Sequence, residues 1–139
     1  MESIAVIFWS GTGNTATMAQ EVVAGTGGQA KLINVTDTNA DEAAAYDKLA
    51  LGCPSMGDEV LDEDEMEPFF TALEGKISGK KVVLFGSYDW GDGQWMRDWA
   101  ERTKKAGAIL AADPLIVNLS PDADGKAKCR ELGKALADA

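Results

Sequence analysis

The residues with the clearest chemical potential form a short loop at positions 10–15, with the sequence SGTGNT. The loop follows an apolar run at 4–9 and leads into a segment with helical spacing. A helix N-terminus carries unpaired N–H groups and about half a positive charge, and glycine lets the backbone approach an anion closely. The loop is therefore suited to hold a phosphate without lysine or arginine. Its residues are Ser10, Gly11, Thr12, Gly13, Asn14 and Thr15.

Two other interpretations of this loop stay open from its residues alone. In the first, Ser10 or Thr12 only caps the helix and the glycines only make a turn. In the second, positions 11–16 satisfy the relaxed dinucleotide pattern G-x-G-x-x-G/A, and Asp37 follows about where a ribose-binding acid is expected. The nucleoside triphosphate pattern G-x-x-x-x-G-K-[ST] does not occur in the loop.

A second candidate segment, at 54–70, reads PSMGDEVLDEDEMEPFF. Its methionine offers a soft apolar surface, and glycine before aspartate favours a turn. Glu59 lies close enough to the apex of this turn to accept a hydrogen bond from a ligand. Most of the later acids are expected to form a solvated face and the first turn of a helix. The candidate binding residues are Ser55, Met56, Gly57, Asp58 and Glu59.

A third segment, at 86–95, reads GSYDWGDGQW and places two aromatic residues between glycines. Aromatic residues without regular periodicity are poorly placed for a core and well placed to cover a planar ligand. Trp90 is the candidate for stacking, whereas Trp95 and Trp99 have the i,i+4 spacing of a packed helix face. The candidate binding residues are Ser87, Tyr88, Asp89, Trp90 and Gly91.

Short apolar or β-branched runs alternate with amphipathic segments and must position these three loops. The runs predict strands at 4–9, 30–35, 48–53, 82–87 and 115–119. The amphipathic segments predict helices at 14–24, 40–46, 63–73, 94–106 and 126–137. The alternation predicts an α/β fold, a three-layer doubly wound domain with a five-stranded parallel sheet.

Two strand orders are common in such folds, and five strands with right-handed crossovers suit the order 2-1-3-4-5 best. In that order the first, third and fourth strands are adjacent, so the three loops meet at the carboxyl edge of the sheet, where ligands bind. The length of 139 residues and the even composition predict a single domain over 1–139.

Composition excludes several classes of function. With 13 Lys and Arg against 23 Asp and Glu, the net charge of -10 disfavours nucleic acid and anionic membranes and favours basic partners. No apolar run approaches the roughly 18 residues of a membrane span, which predicts a cytoplasmic protein. The chain has no histidine and its two cysteines are far apart, which excludes Ser–His or Cys–His hydrolysis and predicts no metal site.

Together the three loops offer a phosphate cradle, an apolar and acidic turn and an aromatic cover, and in this the chain resembles the short-chain flavodoxins of anaerobic bacteria. The resemblance is carried by FWSGTGNT, LGCPSMGDEV, EPFF and GKKVVLFGSYDWGDGQWMRDW and covers essentially the whole chain. It implies a monomeric, low-potential one-electron carrier and not an enzyme. The implied cofactor is noncovalent FMN, which shuttles between semiquinone and hydroquinone and serves redox enzymes with basic docking surfaces.

The resemblance also implies where FMN binds. Its phosphate is expected in the loop at 10–15, its ribityl chain near Ser87, and its ring between Met56 and Trp90. The charge of -10 and the lack of basic residues at 50–74 and 86–95 are expected to disfavour the anionic, fully reduced flavin and so to lower the second potential.

Further polar contacts are implied along the edge of the ring. Glu59 is expected to accept from flavin N3–H, and backbone N–H groups around Asp89 and Gly91 to face N1 and O2. The Gly57 peptide is expected to turn over on reduction and to offer its carbonyl to N5–H. Relatives usually carry glycine at position 89, so the aspartate here is expected to affect either the potential or the affinity for FMN.

Two alternative functions belong to other classes. A signalling receiver shares this architecture, but it needs acids after the first strand and a phospho-accepting aspartate after the third. The chain has Ser10 and Gly11 at the first place and Cys53 and Pro54 at the second. The other alternative is a small FMN-dependent reductase, or a dedicated activator subunit of one oxidoreductase.

Overall fold

Six parallel strands form the central sheet of the computed structural model, which describes residues 3–139. They are β1 Ile4–Phe8, β2 Lys31–Asn34, β3 Lys48–Gly52, β4 Lys81–Tyr88, β5 Ile109–Leu110 and β6 Leu115–Asn118. The sheet order is β2-β1-β3-β4, and both β5 and β6 pair with β4. Because β5 pairs with the start of β4 and β6 with its end, the two share one position. The predicted order 2-1-3-4-5 is confirmed, whereas the prediction missed the two-residue strand β5.

Helices cover both faces of this sheet. They are α1 Asn14–Gly25, α2 Ala40–Ala44, α3 Met66–Leu73, α4 Gln94–Lys105 and α5 Ala123–Asp138. One-turn 3-10 helices lie at Val35–Asp37 and Glu74–Lys76. Within residues 3–139, no helix has the length and apolar character needed to cross a membrane.

Two hydrophobic cores separate the three layers. Residues of α2, α3 and α4 pack on one face of the sheet, with Trp99 among them. Residues of α1 and α5 pack on the other face, with Met18 among them. Neighbours on one strand alternate between these cores, as Val6 and Ile7 do. Because both faces are covered, the inner strands are mostly apolar and lack a strict period-two alternation of apolar and polar residues.

Acidic residues decide where two helices begin, and the predicted starts were wrong there. α3 begins at Met66 and not at position 63, because the Asp62 carboxylate accepts from Glu65 N–H at 2.7 Å and from Met66 N–H at 3.1 Å. α5 begins at Ala123, before the predicted 126, because Asp122 accepts the N–H three residues on at 2.8 Å. Both are N-caps. The other predicted bounds lie within two residues of the observed ones.

Candidate functional site

A cleft of about 170 Å³ lies at the carboxyl edge of the sheet, where the loops after β1, β3 and β4 meet. This meeting was expected from the strand order, because β1, β3 and β4 are neighbours. The lining contains no lysine or arginine. Its residues are Gly11, Thr12, Asn14, Pro54, Ser55, Met56, Ser87, Tyr88, Asp89 and Trp90, of which Pro54 was not among the predicted set.

The hydroxyls of the first loop cap α1. Ser10 Oγ accepts from Gly13 N–H at 3.0 Å and from Ala16 N–H at 3.2 Å, and Thr12 Oγ1 accepts from Asn14 N–H at 3.4 Å. Gly13 has a φ of 99°, which favours glycine. The capping interpretation therefore describes a contact that is present. Each hydroxyl still carries a proton that it can donate to an anion, so capping does not exclude phosphate binding.

Thr15 and Ser87 join the first loop to the third. Their hydroxyl oxygens are 3.0 Å apart, and Ser87 N–H donates to Thr15 Oγ1 at 3.3 Å. Both side chains are buried, with 1% and 4% of their surface exposed. Thr15 is thus buried beneath the loop and does not line the cleft surface. From this buried position it joins the start of α1 to the end of β4.

The second loop is a tight turn between Met56 and Val60, which exchange two backbone hydrogen bonds of 2.9 Å. Gly57 and Asp58 lie exposed at its tip and are not part of the cleft lining. Gly57 has a φ of 50°, in the left-handed region that glycine enters at little cost. This freedom is what a turn needs in order to change its type.

Glu59 turns away from the tip and caps α4. Its two carboxylate oxygens accept from Asp92 N–H and Gln94 N–H, each at 2.8 Å, and only 9% of the residue is exposed. Gly91 packs directly against this carboxylate, because a Cβ there would lie 1.4 Å from Oε1. Each oxygen keeps a further lone pair that can accept from a ligand.

Sequence reasoning missed this cap on α4. The available signal was that α4 begins after Gly93, which has no side chain with which to cap it. A helix that starts at glycine leaves N–H groups for an acceptor from elsewhere in the fold. Nothing local in the sequence identifies Glu59 as that acceptor, since 35 residues separate it from Gln94.

The tryptophans at 90, 95 and 99 divide between core and surface as predicted, whereas Tyr88, expected to be poorly placed for the core, packs partly against it. Trp95 and Trp99 are buried, each with 1% of its surface exposed, whereas Trp90 is 60% exposed and lines the cleft. Tyr88 packs against Trp95 at 5.7 Å between ring centroids, and the Trp95 indole N–H donates to Cys53 O at 3.1 Å. Trp90 is thus left as an open aromatic face on the cleft.

Asp89 is exposed on the cleft, and its backbone is ordinary for an L-residue. Within residues 3–139, the non-glycine residues with positive φ are Glu59 and Leu119. Position 89 therefore does not need the conformational freedom of the glycine that relatives usually carry there. What this residue adds to the cleft is a carboxylate.

A fourth segment, which sequence reasoning missed, lies beside the third loop. Asn118 ends β6 opposite Tyr88, and its side-chain amide donates to Tyr88 O at 3.1 Å. The prediction considered only the loops after the first, third and fourth strands. β6 ends at the same edge of the sheet, and this position is the signal that could have revealed Asn118.

Several other chemistries do not fit this site. Burial raises the pKa of Cys53 to about 12 and that of Cys129 to about 11, so both thiols stay protonated at neutral pH. Within residues 3–139, no group of three histidine, cysteine or acidic residues could hold a metal ion. Asp37 lines a different cavity beside β2, so the acid expected for a dinucleotide ribose is not part of the cleft lining.

Comparisons with known proteins agree with this geometry. The family model described as Flavodoxin matches residues 6–133. The chain is 50% identical over 136 residues to a flavodoxin of Clostridium beijerinckii, covering 96% of this chain and 98% of the relative. It is 46% identical over 139 residues to a flavodoxin of Megasphaera elsdenii, covering 98% and 99%. The solution structure of two-electron reduced Megasphaera elsdenii flavodoxin is similar with a TM-score of 0.88 at 44% identity, covering 98% of this chain and 99% of that one.

Proposed function

Since the chain belongs to the flavodoxin family, whose members are electron-transfer proteins and not enzymes, we propose that it carries single electrons on FMN bound in the cleft between its three loops. The carrier function and the use of a flavin follow from the family. The choice of FMN and the residues that hold it are the proposal. FMN would supply a ring that accepts and returns electrons one at a time.

The observation that carries the proposal is the exposed indole of Trp90. A tryptophan with 60% of its surface in water is costly, and a planar ligand that stacks on it removes that apolar area from water. Met56, half-buried in the lining of the same cleft, is the apolar residue proposed to contact the other face of the ring. The two residues together suit a flat ring system.

The phosphate of FMN is proposed to bind to the loop at 10–15. The N-terminus of α1 points its N–H groups and its positive dipole end at this loop. The hydroxyls of Ser10 and Thr12 lie within hydrogen-bond reach of those N–H groups and have protons to donate. A phosphate therefore finds backbone and side-chain donors without any basic residue.

The polar edge of the ring is proposed to meet Glu59 and backbone N–H groups near Asp89 and Gly91. The carboxylate of Glu59 is held by two amides and keeps lone pairs for a ligand N–H. Gly57, with its left-handed backbone, is proposed to turn its peptide over when the cofactor is reduced. The role of Glu59 depends on a carboxylate that two hydrogen bonds hold in place, whereas the role of Gly57 depends on the conformational freedom of a glycine at a turn tip.

A low potential is proposed from charge. The cleft lining lacks lysine and arginine, and the chain has a net charge of -10. A negative charge on the reduced ring would be repelled by each carboxylate about 10 Å away by ~1.7 kcal/mol at an effective dielectric constant of about 20, before screening by salt. Several such terms make addition of the second electron unfavourable.

Redox partners follow from the family, and we propose that their docking surfaces are basic. Asp89 is exposed in the cleft lining, Asp58 is exposed at the tip of the second loop, and the acidic run at 63–65 is exposed on the segment that follows this loop. Such charges speed association with a basic partner in an ionic-strength-dependent way. A monomeric state, a single domain over 1–139 and a cytoplasmic location stay predictions.

Titration of the apoprotein with FMN, followed by quenching of flavin fluorescence, tests the proposal. We expect one FMN per chain, and Trp90→Ala to weaken binding about tenfold, because stacking contributes about 0.5–1.5 kcal/mol beyond the buried area. Trp90→Phe, the matched control, keeps an aromatic face and most of the affinity. An apoprotein that binds no FMN, or a Trp90→Ala variant with unchanged affinity, would refute the site.

A further inference from the structure

The segment that follows β6 holds two consecutive carbonyl groups of the third loop. The Asn118 amide donates to Tyr88 O at 3.1 Å and to Asp89 O at 3.4 Å. Leu119 N–H donates to Tyr88 O at 2.8 Å. Three hydrogen bonds donated by Asn118 and Leu119 thus orient both carbonyls toward the β6 side of β4.

The direction of these carbonyls determines where two N–H groups point. Every peptide bond in residues 3–139 is trans, so the C=O and N–H of one peptide group point in opposite directions. The Tyr88 carbonyl shares its peptide group with Asp89 N–H, and the Asp89 carbonyl shares its own with Trp90 N–H. With both carbonyls toward β6, both N–H groups point toward the β3 side.

The β3 side is the side of the cleft. Ser87 O accepts from Ser55 N–H at 3.0 Å across this side, and both residues line the cleft together with Asp89 and Trp90. The two N–H groups are therefore parallel donors facing the space where a ligand would lie. A hydrogen bond accepted by a carbonyl also polarises its peptide group and strengthens the N–H as a donor.

We propose that Asn118 is a positioning residue that aims and polarises the N–H groups of Asp89 and Trp90 toward the electron-rich edge of the bound flavin. This inference rests on the proposed function, because it requires FMN in the cleft. Asn118 itself is exposed and does not line the cleft, so it acts through the backbone of the third loop. Its amide therefore stabilises negative charge on the cofactor indirectly, through the two peptide groups whose carbonyls it binds.

The backbone conformation of Leu119 is further evidence that the Tyr88 carbonyl is fixed in this orientation. Leu119 has a φ of 59° and is half exposed, a left-handed conformation that L-residues disfavour and that its side chain does not offset by burial. In this conformation its N–H reaches Tyr88 O at 2.8 Å. Leu119 thus adopts a disfavoured backbone conformation, and in it the Tyr88 carbonyl accepts a second hydrogen bond besides the one from Asn118.

The test compares Asn118→Ala and Asn118→Asp with the matched control Asn34→Asp. Asn34 ends β2 at the same edge of the sheet, and its side-chain oxygen accepts from Thr36, a role that aspartate keeps. We measure the affinity for oxidised FMN, both one-electron midpoint potentials, and the ¹⁵N–¹H amide signals of Asp89 and Trp90 in the apoprotein and the holoprotein.

We expect Asn118→Ala to weaken binding of fully reduced FMN about tenfold more than binding of oxidised FMN. If that loss falls on the second electron, its midpoint potential drops by 59 mV. Asn118→Asp should lower the potential further, because a carboxylate faces the two carbonyl oxygens and repels them. Asn34→Asp adds the same charge and should change the potentials much less. The amide signals of Asp89 and Trp90 should shift in Asn118→Ala even without FMN.

Two results would overturn the inference alone. One is FMN binding with unchanged potentials and unchanged Asp89 and Trp90 amide signals in Asn118→Ala. The other is an equal shift of potential in Asn118→Asp and Asn34→Asp, which would assign the effect to charge and not to positioning. Failure of the unsubstituted chain to bind FMN would instead refute the proposed function, and the inference with it.

Discussion

Replacing Gly91 with alanine tests the contact that joins the second and third loops. A Cβ at this position would lie 1.4 Å from Glu59 Oε1 and 2.5 Å from its Cδ, so the carboxylate must move. Movement breaks one or both of its 2.8 Å hydrogen bonds to Asp92 and Gln94 N–H. Gly91 also has a φ of 89°, so alanine is strained there whatever the space.

The structure sets the magnitude of this effect. A hydrogen bond to a charged group contributes about 1.5–3 kcal/mol, and a left-handed alanine costs about 1–2 kcal/mol. With one of the two bonds lost, Gly91→Ala should lower the free energy of unfolding by about 2.5–5 kcal/mol. Gly79→Ala is the control for the backbone effect alone, since Gly79 has a φ of 81° and a Cβ added to it would have no neighbour within 4 Å. It should cost about 1–2 kcal/mol.

Urea unfolding of the apoprotein, followed by circular dichroism and tryptophan fluorescence, measures both losses, provided that the m-values agree. A double-mutant cycle with Glu59→Ala then isolates the carboxylate. In the Glu59→Ala background, Gly91→Ala should lower the free energy of unfolding no more than Gly79→Ala does, because the carboxylate that the added Cβ would displace is absent. Equal losses of unfolding free energy for Gly91→Ala and Gly79→Ala in the unsubstituted chain would refute the reasoning. So would a loss for Gly91→Ala that is the same with and without the Glu59→Ala substitution.

Two further predictions concern the environment of the cleft. Burial raises the pKa of Cys53 from 9.0 to about 12, so above pH 9 the unfolded chain loses a proton that the folded chain keeps. The free energy of unfolding should therefore fall as pH rises from about 9 to 12, by at most ~1.4 kcal/mol per pH unit for this thiol, and less steeply in Cys53→Ala. Equal slopes in urea titrations of the two proteins over that range would contradict this. Asp89→Gly should raise the potential of the second electron by removing a carboxylate from the cleft lining, which a potentiometric titration of the holoprotein measures, and an unchanged potential together with unchanged FMN affinity would show that this charge is irrelevant.

Local pattern was enough to predict the layers of the fold, and the predicted strand order was enough to predict the edge of the sheet at which the cleft lies. Apolar runs such as the one at Ile4–Phe8 identify buried parallel strands, because only strands covered on both faces are apolar throughout. Glycines next to hydroxyls, and Trp90 outside any periodicity, identify loops at strand ends. The strand order then brings those loops to one edge, so the cleft follows from topology and not from any single motif.

Helix starts and short strands were predicted less well. The predicted helix at 63–73 began too early, because the Asp62 carboxylate accepts from Glu65 N–H and Met66 N–H and so holds residues 63–65 in a turn before α3 begins. β5 has two residues and forms only because the start of β4 offers it a partner. Caps and short edge strands depend on which groups remain unpaired after the chain has packed, and periodicity carries no information about that.

By itself, the sequence determined the order of elements, the three loops, the acidic charge and the family. Only the tertiary structure decided how the loops are held against one another. Glu59 caps a helix 35 residues away, Thr15 and Ser87 pair across 72 residues, and Asn118 reaches back 30 residues to Tyr88. Local propensity depends on neighbours along the chain, whereas these polar partners meet only when the sheet brings distant strand ends together, and burial then makes leaving them unpaired costly.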